Sequence, residues 1–408
     1  MSGFPEIFFL GIDWVSFGVD FIQFYALYLA LSLSLNLEFG YTGIPNFGKV
    51  MFVAGGAAFG GAVAGRLASY ILGIGVNLDF ITFNFRIIDQ VNGALVNDPT
   101  LAVELVAISL VVAALIGGLL GFLASYPAIR LREDYLGLLL LGVAQFFDVF
   151  LRTYTPLIGG ANNILVPDPY AWWTTLGTGW RDVIAMVVMV AFALAVYVFI
   201  EKVVRSPMGR TLRAVRDKED ASAALGKDNV KIRRNVLIVA SAIAAMAGAL
   251  YSFYVGTVTY DTWTRFAWTF WPFLIVIVGG VGNNTGVALG TFFFTLILRG
   301  LEQAQPFIQP YLIVNVNWIQ DLLLAGLLIV ILYVRPDGII RERSSYTLKK
   351  SVLNKILNRE GGGGGSDAST EGRISRLVRA VTSRVHRGRD AAKAEGEPSK
   401  KPDGPPNV

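Results

Sequence analysis

The segment Gly43-Ile-Pro-Asn-Phe-Gly48-Lys49-Val50 has nearly the glycine and lysine spacing of a loop that cradles nucleotide phosphates. In such a loop a Ser or Thr after the lysine holds Mg²⁺. Val50 offers no hydroxyl, and an apolar run rather than a strand precedes the loop. Nucleotide chemistry is therefore not expected here, and no other segment carries the pattern. The chain has no cysteine, which excludes disulfides and thiol chemistry. Its single histidine, His386, lies in the polar C-terminal part, away from the apolar runs. No catalytic residue and no metal site is expected. The charges beside apolar runs are Glu38, Lys49, Arg66, Glu104, Asp148, Arg152, Arg299 and Glu302. Asp148 with Arg152, and Arg299 with Glu302, stand one helical turn apart and can pair. Intramembrane charges are candidates for function. Most of these lie near predicted span ends, where snorkelling to the interface is the better account.

The elements that carry these residues are apolar. Of 408 residues 54% are hydrophobic and only 16% charged, against roughly 25% charged in soluble domains. Runs of about 20 apolar residues recur, each long enough to cross a bilayer. The expected fold is all-α: a polytopic transmembrane helical bundle of about 8–10 spans with broken membrane helices. The spans are read at 19–39, 48–73, 101–127, 135–154, 181–201, 235–256, 266–280, 286–304 and 318–334. A short apolar stretch at 4–18 is read as interfacial or as an extra span. Lys and Arg collect in 128–134, 202–234 and 335–408, and are nearly absent from 74–100 and 155–180. The first group is expected in the cytoplasm and the second outside, together with 305–317. The alternation requires a turn at 280–286 on the inner side. Basic residues gather beside the spans, so no nucleic-acid partner is expected. The predicted units are a membrane domain, 1–345, and a flexible linker and basic cytoplasmic tail, 346–408. Five glycines at 361–365 mark the linker. Ile374, Leu377, Val378, Val381 and Val385 share a helical face that suits anionic lipid; a plain disordered tail fits as well.

Three polar stretches stand out. In 202–234, Ser206 suits a helix N-cap and Pro207 the first helical position. Leu212, Val215 and Ala223 are placed on an apolar side, with Arg210, Arg213 and Arg216 around them, and Gly226 ends the helix. Such a helix docks beside a membrane or into a partner. Gly40-Tyr-Thr-Gly43-Ile-Pro45 and Gly279-Gly-Val-Gly-Asn-Asn-Thr-Gly286 both interrupt apolar runs. Broken membrane helices free backbone groups that must face protein or a water-filled path. Tyr41, Thr42, Gly43, Asn46, Gly280, Gly282 and Asn283 are accordingly candidates for path lining, the alternative being an ordinary loop. Asn162 and Asn163 join them, in an external Gly-Gly-Ala-Asn-Asn turn. The small-residue run Ala54–Gly65 reads chiefly as close helix packing.

Taken in order, certain segments resemble one family, the M-type permease subunit of branched-chain amino acid ABC importers. They are Leu35-Asn-Leu-Glu-Phe-Gly-Tyr-Thr-Gly43, Arg130-Leu-Arg-Glu-Asp-Tyr-Leu-Gly137, Gly159-Gly-Ala-Asn-Asn163 and Ser206-Pro-Met-Gly-Arg-Thr-Leu-Arg-Ala-Val-Arg216 through Ala223-Ala-Leu-Gly226. Ala247-Gly-Ala-Leu-Tyr251, Val278-Gly-Gly-Val-Gly282 and Arg335-Pro-Asp-Gly338 complete the set. The resemblance implies a multi-pass permease of the inner, or cytoplasmic, membrane that forms half of a translocation path. It also implies a second, homologous permease, two ABC ATPase subunits, an external substrate-binding protein and surrounding membrane lipid. ATP and Mg would be bound by the partners, with no cofactor on this chain. Glu219-Asp-Ala-Ser-Ala-Ala-Leu-Gly226 is similar to the cytoplasmic loop that seats in an ATPase cleft. The resemblance thus gives Arg210, Arg213, Arg216, Glu219, Ala221, Ala223, Ala224 and Gly226 a coupling role. Urea and short-amide permeases share the pattern. Asn46-Phe-Gly-Lys49 departs from the family's Ser-x-Gly-His-like run. A secondary transporter of a small polar solute is the rival reading.

Overall fold

The computed structural model describes residues 8–9, 12–75, 78–128, 133–160, 163–309, 316–335 and 338–342. The chain divides between Arg343 and Ser344. The glycine linker, the basic tail, Arg130, Arg132 and Asn162 lie outside the described residues.

In hydrocarbon each backbone polar group must be paired within its own segment, so the apolar runs become helices. A short hairpin, β1 (Phe8–Phe9) and β2 (Ile12–Asp13), leads into α1 (Trp14–Leu35), so residues 14–18 of the stretch 4–18 are the start of the first span. A π-turn at Asn36–Gly40 ends this helix. Next come α2 (Lys49–Gly56) and α3 (Ala62–Ile71), joined by a second π-turn at Ala57–Gly61. Then follow α4 (Asn84–Asn97), α5 (Pro99–Ala128), α6 (Glu133–Thr153), α7 (Thr155–Ile158), the two-residue strand β3 (Ile164–Leu165) and α8 (Thr178–Arg205). The basic stretch forms α9 (Pro207–Asp217) and α10 (Glu219–Ala224). After α11 (Asn229–Val255) come β4 (Thr257–Val258), a π-turn at Phe266–Phe270, α12 (Trp271–Gly279), α13 (Asn284–Ile308) and α14 (Val316–Val334). Among the described residues seven helices are long and apolar enough to cross a membrane, and 266–279 and 318–327 are shorter apolar helices.

Hydropathy gives no reason to expect α4, because it lies in a polar connection. It is amphipathic, and buries Ile87, Ile88, Val91 and Leu95 along one face. Asn84 exchanges hydrogen bonds with both backbone groups of Leu165, and Asn92 accepts from the amide of Asp168. β3 pairs with β4 antiparallel. The connections poor in Lys and Arg thus meet at one end of the bundle. At the other end, 202–228 and 338–342 meet the breaks at 36–43 and 280–284: Ile339 N–H donates to Val278 O at 2.9 Å and Ile340 N–H to Gly279 O at 3.1 Å. The turn at 280–283 therefore lies at the basic end, as the alternation requires. On this topology an impermeant maleimide applied from outside is expected to label Asn97→Cys and not Leu225→Cys in the Cys-free chain. The reverse pattern would invert the bundle. Ser222 is a poor reporter because it is buried.

The small residues work by close approach. α11 lies between α2 and α5. A Cβ on Gly56 would fall against the backbone of Ala245, and one on Gly248 against the backbone of Val53. Gly117 and Gly121 of α5 meet Ser241 and Leu237 carbonyls at 2.6 and 2.8 Å from an added Cβ. With no hydrophobic drive between helices in lipid, such packing is what holds them. Gly56→Val is expected to cost more than the roughly 1–3 kcal/mol of ordinary overpacking, since the obstacle is backbone. Thermal unfolding of the detergent-solubilised protein reads this; an unchanged midpoint would show that α2 and α11 are not in contact.

Candidate functional site

The basic stretch folds as its caps dictate. The Ser206 hydroxyl accepts from the Met208 amide at 3.1 Å, and Pro207 opens α9. A Cβ on Gly209 would strike the backbone of Val204, so only glycine lets α9 turn this tightly off α8. Leu212 and Val215 are buried with Ile200, Val204, Leu35 and Leu37. The helix does not continue to Gly226 as a single piece. Lys218 is extended, at φ −154° and ψ 94°, and a separate short helix, α10, begins at Glu219. Ala223 consequently leaves the apolar side and is exposed, as are Ala221 and Ala224. Ser222 is the buried member of α10. Gly226 ends it at φ 76°, where glycine carries no Cβ penalty.

Two of the arginines clamp α9 to the bundle. Arg216 donates to the carbonyl of Gly40 and, at 2.8 Å, to Glu342 Oε2. Burial works against its charge, but the bonds to Glu342 and Asp217 outweigh this and raise its pKa. Arg213 lies 3.4 Å from Glu342 Oε1 and stands over the ring of Tyr41. Arg210 is exposed. Glu219 anchors α10 to α11, through Arg233 at 3.1 Å and through its carbonyl, which accepts from Asn229 at 2.8 Å. Asp228 caps α11, and the Lys231 amide holds its carboxyl below the usual range.

The two glycine-rich breaks meet at this same end. Asn36 Oδ1 accepts from Gly282 N–H at 2.9 Å, and Asn36 Nδ2 donates to Asn284 Oδ1 at 3.0 Å. Asn284 Nδ2 donates to Glu201 at 2.7 Å, at the foot of α8. Asn283 caps α13 by accepting from the amides of Thr285 and Gly286, and donates to Arg341 O at 2.9 Å. Tyr41, Gly282 and Asn283 line a small cavity of about 140 Å³ with Arg213 and Glu201. Gly280 and Gly282 adopt positive φ, 118° and 76°. Thr42 and Asn46 are fully buried: Thr42 donates to Leu37 O, and Asn46 to Glu38. Gly43 turns the chain at φ 76°. These candidates therefore form a buried layer behind α9. Asn163, exposed and at φ 60°, lies apart from them beside β3 at the opposite end.

Lys49 of the phosphate-loop-like segment pairs with Glu38 at 2.9 Å, both side chains 0% exposed, and its ammonium also reaches Ala240 O. The lysine is thus committed to the interior. Arg299 pairs with Glu302, as the spacing predicts. Asp148 and Arg152 do not pair: Asp148 accepts from Gln145 and Arg152 stands over Tyr260. Sequence reasoning missed Glu342, Asn36 and Leu225. Asn36, in an otherwise apolar run, was the one visible signal among them.

Among the described residues, seven membrane-length helices, two helix breaks and a clamped amphipathic bracket fit a multi-pass membrane protein. The chain belongs to the family described as branched-chain amino acid transport system / permease component, whose model matches residues 19–332. It is 35% identical over 348 residues to a probable branched-chain amino acid transport permease protein LivM of Methanocaldococcus jannaschii, covering 84% of this chain and 99% of that protein. The LivM high-affinity permease protein of Escherichia coli K12 is 28% identical over 250 residues, 56% of each chain. The LivH permease protein of the same organism is 26% identical over 245 residues, 58% of this chain and 74% of its own. No solved structure matches. Members of this family are transport subunits of ABC importers rather than enzymes.

Proposed function

We propose that this chain carries branched-chain amino acids along its interface with a second, homologous permease. Two ATPase subunits energise it, and an extracytoplasmic binding protein delivers the solute. The similarity to both LivM and LivH proteins supports a partner of like fold. One observation carries the coupling role. Leu225, 80% exposed, projects from α10 among exposed alanines, while the bracket behind it is tied to the bundle by Arg216, Arg213 and Glu219. A lone apolar tip on a braced mount suits a cleft in another protein. ATP-driven closure of the partners would move α9. Through Gly40, Gly282 and Glu342 it would reach α1, α13 and the segment after α14. In the Cys-free chain, Leu225→Cys is expected to cross-link to an ATPase subunit in assembled membranes, while Asn97→Cys does not. Absence of the Leu225 cross-link in an assembled complex would remove the coupling assignment.

A further inference from the structure

A cavity of about 410 Å³ opens between α2, α6 and the irregular segment 260–265. Its volume is in the range of small-molecule sites, about 300–1,000 Å³. Depth follows from α2: Lys49 reaches Ala240, about 16 Å into α11 and about 22 Å from its other end at 1.5 Å per residue. Val50, Met51 and Ala54, just above Lys49, line its deep side, whereas Leu151 near the end of α6 and Tyr260 and Asp261 just after β4 line its other side, so it runs from mid-bundle toward the end poor in Lys and Arg. Two bonds shape its irregular wall. Trp268 Nε1 donates to Thr262 O at 2.8 Å, and the Val50 amide donates to Thr269 Oγ1 at 3.0 Å.

The lining is chemically mixed. Apolar surface comes from Val50, Met51, Ala54, Phe147, Leu151 and Trp263, and charge from Asp148, Asp261 and Arg265. No ion pair engages these three among the described residues; Asp148 accepts only from Gln145. Arg152, over the ring of the lining residue Tyr260, brings the local sum to two carboxylates and two guanidiniums. Trp263 is 4% exposed, and its indole N–H has no partner among the described residues. Asp261 and Arg265 are exposed, at the side toward β4, and irregular backbone in a membrane protein is tolerated where it lines a polar route.

We propose that this cavity is a way-station for a zwitterionic, apolar amino acid. Arg265 takes the carboxylate, Asp148 with Asp261 takes the ammonium, and α2, Phe147 and Leu151 take the aliphatic side chain. The balance of charge disfavours a net anion or cation, and the apolar floor disfavours a small amide. The assignment rests on the amino-acid importer reading above and adds to it a specific site.

The test uses the full chain in lipid nanodiscs, with L-leucine as probe and saturation-transfer NMR on its methyl protons. Leucine uptake by the chain assembled with its ATPases is measured in parallel. Arg265 is exposed, so Arg265→Gln leaves packing intact. It is expected to lower both signals at least fivefold, and Arg265→Lys to restore half or more. Ala54→Phe, which fills the cavity, is expected to do the same as Arg265→Gln. 4-Methylpentanoate and 3-methylbutylamine, each with a single charge, are expected to give a small fraction of leucine's transfer. Unchanged signals in Arg265→Gln overturn the site and leave the permease reading standing. So does absent transfer from a wild-type chain whose uptake is intact. Equal transfer from the single-charge analogues overturns the zwitterion assignment. ATP-driven uptake that excludes leucine overturns the amino-acid reading itself.

Discussion

Leu225→Asp is expected to lower solute-stimulated ATP hydrolysis by the assembled importer at least tenfold while the helix bundle stays intact. Burying a leucine side chain in a partner contributes about 1.5–3 kcal/mol. Its loss alone is tenfold or more in affinity at about 1.4 kcal/mol per decade. A carboxylate seated in the same cleft adds a desolvation penalty. The bonds that hold α10 run through Glu219, Ser222 and Gly226 and do not use the Leu225 side chain. Ala223→Asp acts in the same direction, because Ala223 is exposed beside it. Monodispersity and ATPase activity are read from the same sample. A well-folded Leu225→Asp permease that binds its ATPases and transports normally would contradict the coupling assignment.

Lys49→Ala is expected to produce the largest loss of stability. It strands the Glu38 carboxylate, fully buried and otherwise held only by Asn46. Breaking a buried pair from one side costs about 3–5 kcal/mol, whereas replacing both partners with apolar or neutral groups is near neutral or stabilising. The double variant Glu38→Gln with Lys49→Met is therefore expected to recover most of the wild-type unfolding midpoint. A single variant as stable as wild type would show that the pair is not desolvated. Recovery of stability without recovery of transport would give the pair a role in motion between α1 and α2.

The spans, the start of α9 at Ser206-Pro207 and the stop at Gly226 were legible because caps and hydropathy are local. What sequence left out depends on long-range contact. Asn36 and Gly282 are 246 positions apart, so nothing local shows that the two breaks seal one another. The breaks read as candidate path lining from sequence, and their packing against each other and against α9 emerges only in the folded chain. The interruption at Lys218 was hidden because Leu212, Val215 and Ala223 fit a single helical period. α4 was hidden by low hydropathy, although the spacing of Ile87, Val91 and Leu95 carried an amphipathic signal. Asp261 and Arg265 drew no attention because segment 260–265 has no periodicity; contacts distant in sequence, such as Arg152 over Tyr260 and Tyr251 against Trp263, help fix its path.

The central claim is that this chain moves solute only as the membrane part of an ATP-driven assembly. Uptake of L-leucine into proteoliposomes tests it most directly, with this chain alone and with its partner permease, binding protein and ATPases. The account predicts uptake only in the complete assembly with ATP, and none from the chain alone under a proton or sodium gradient. Gradient-driven uptake by the chain alone would contradict it and establish a secondary transporter.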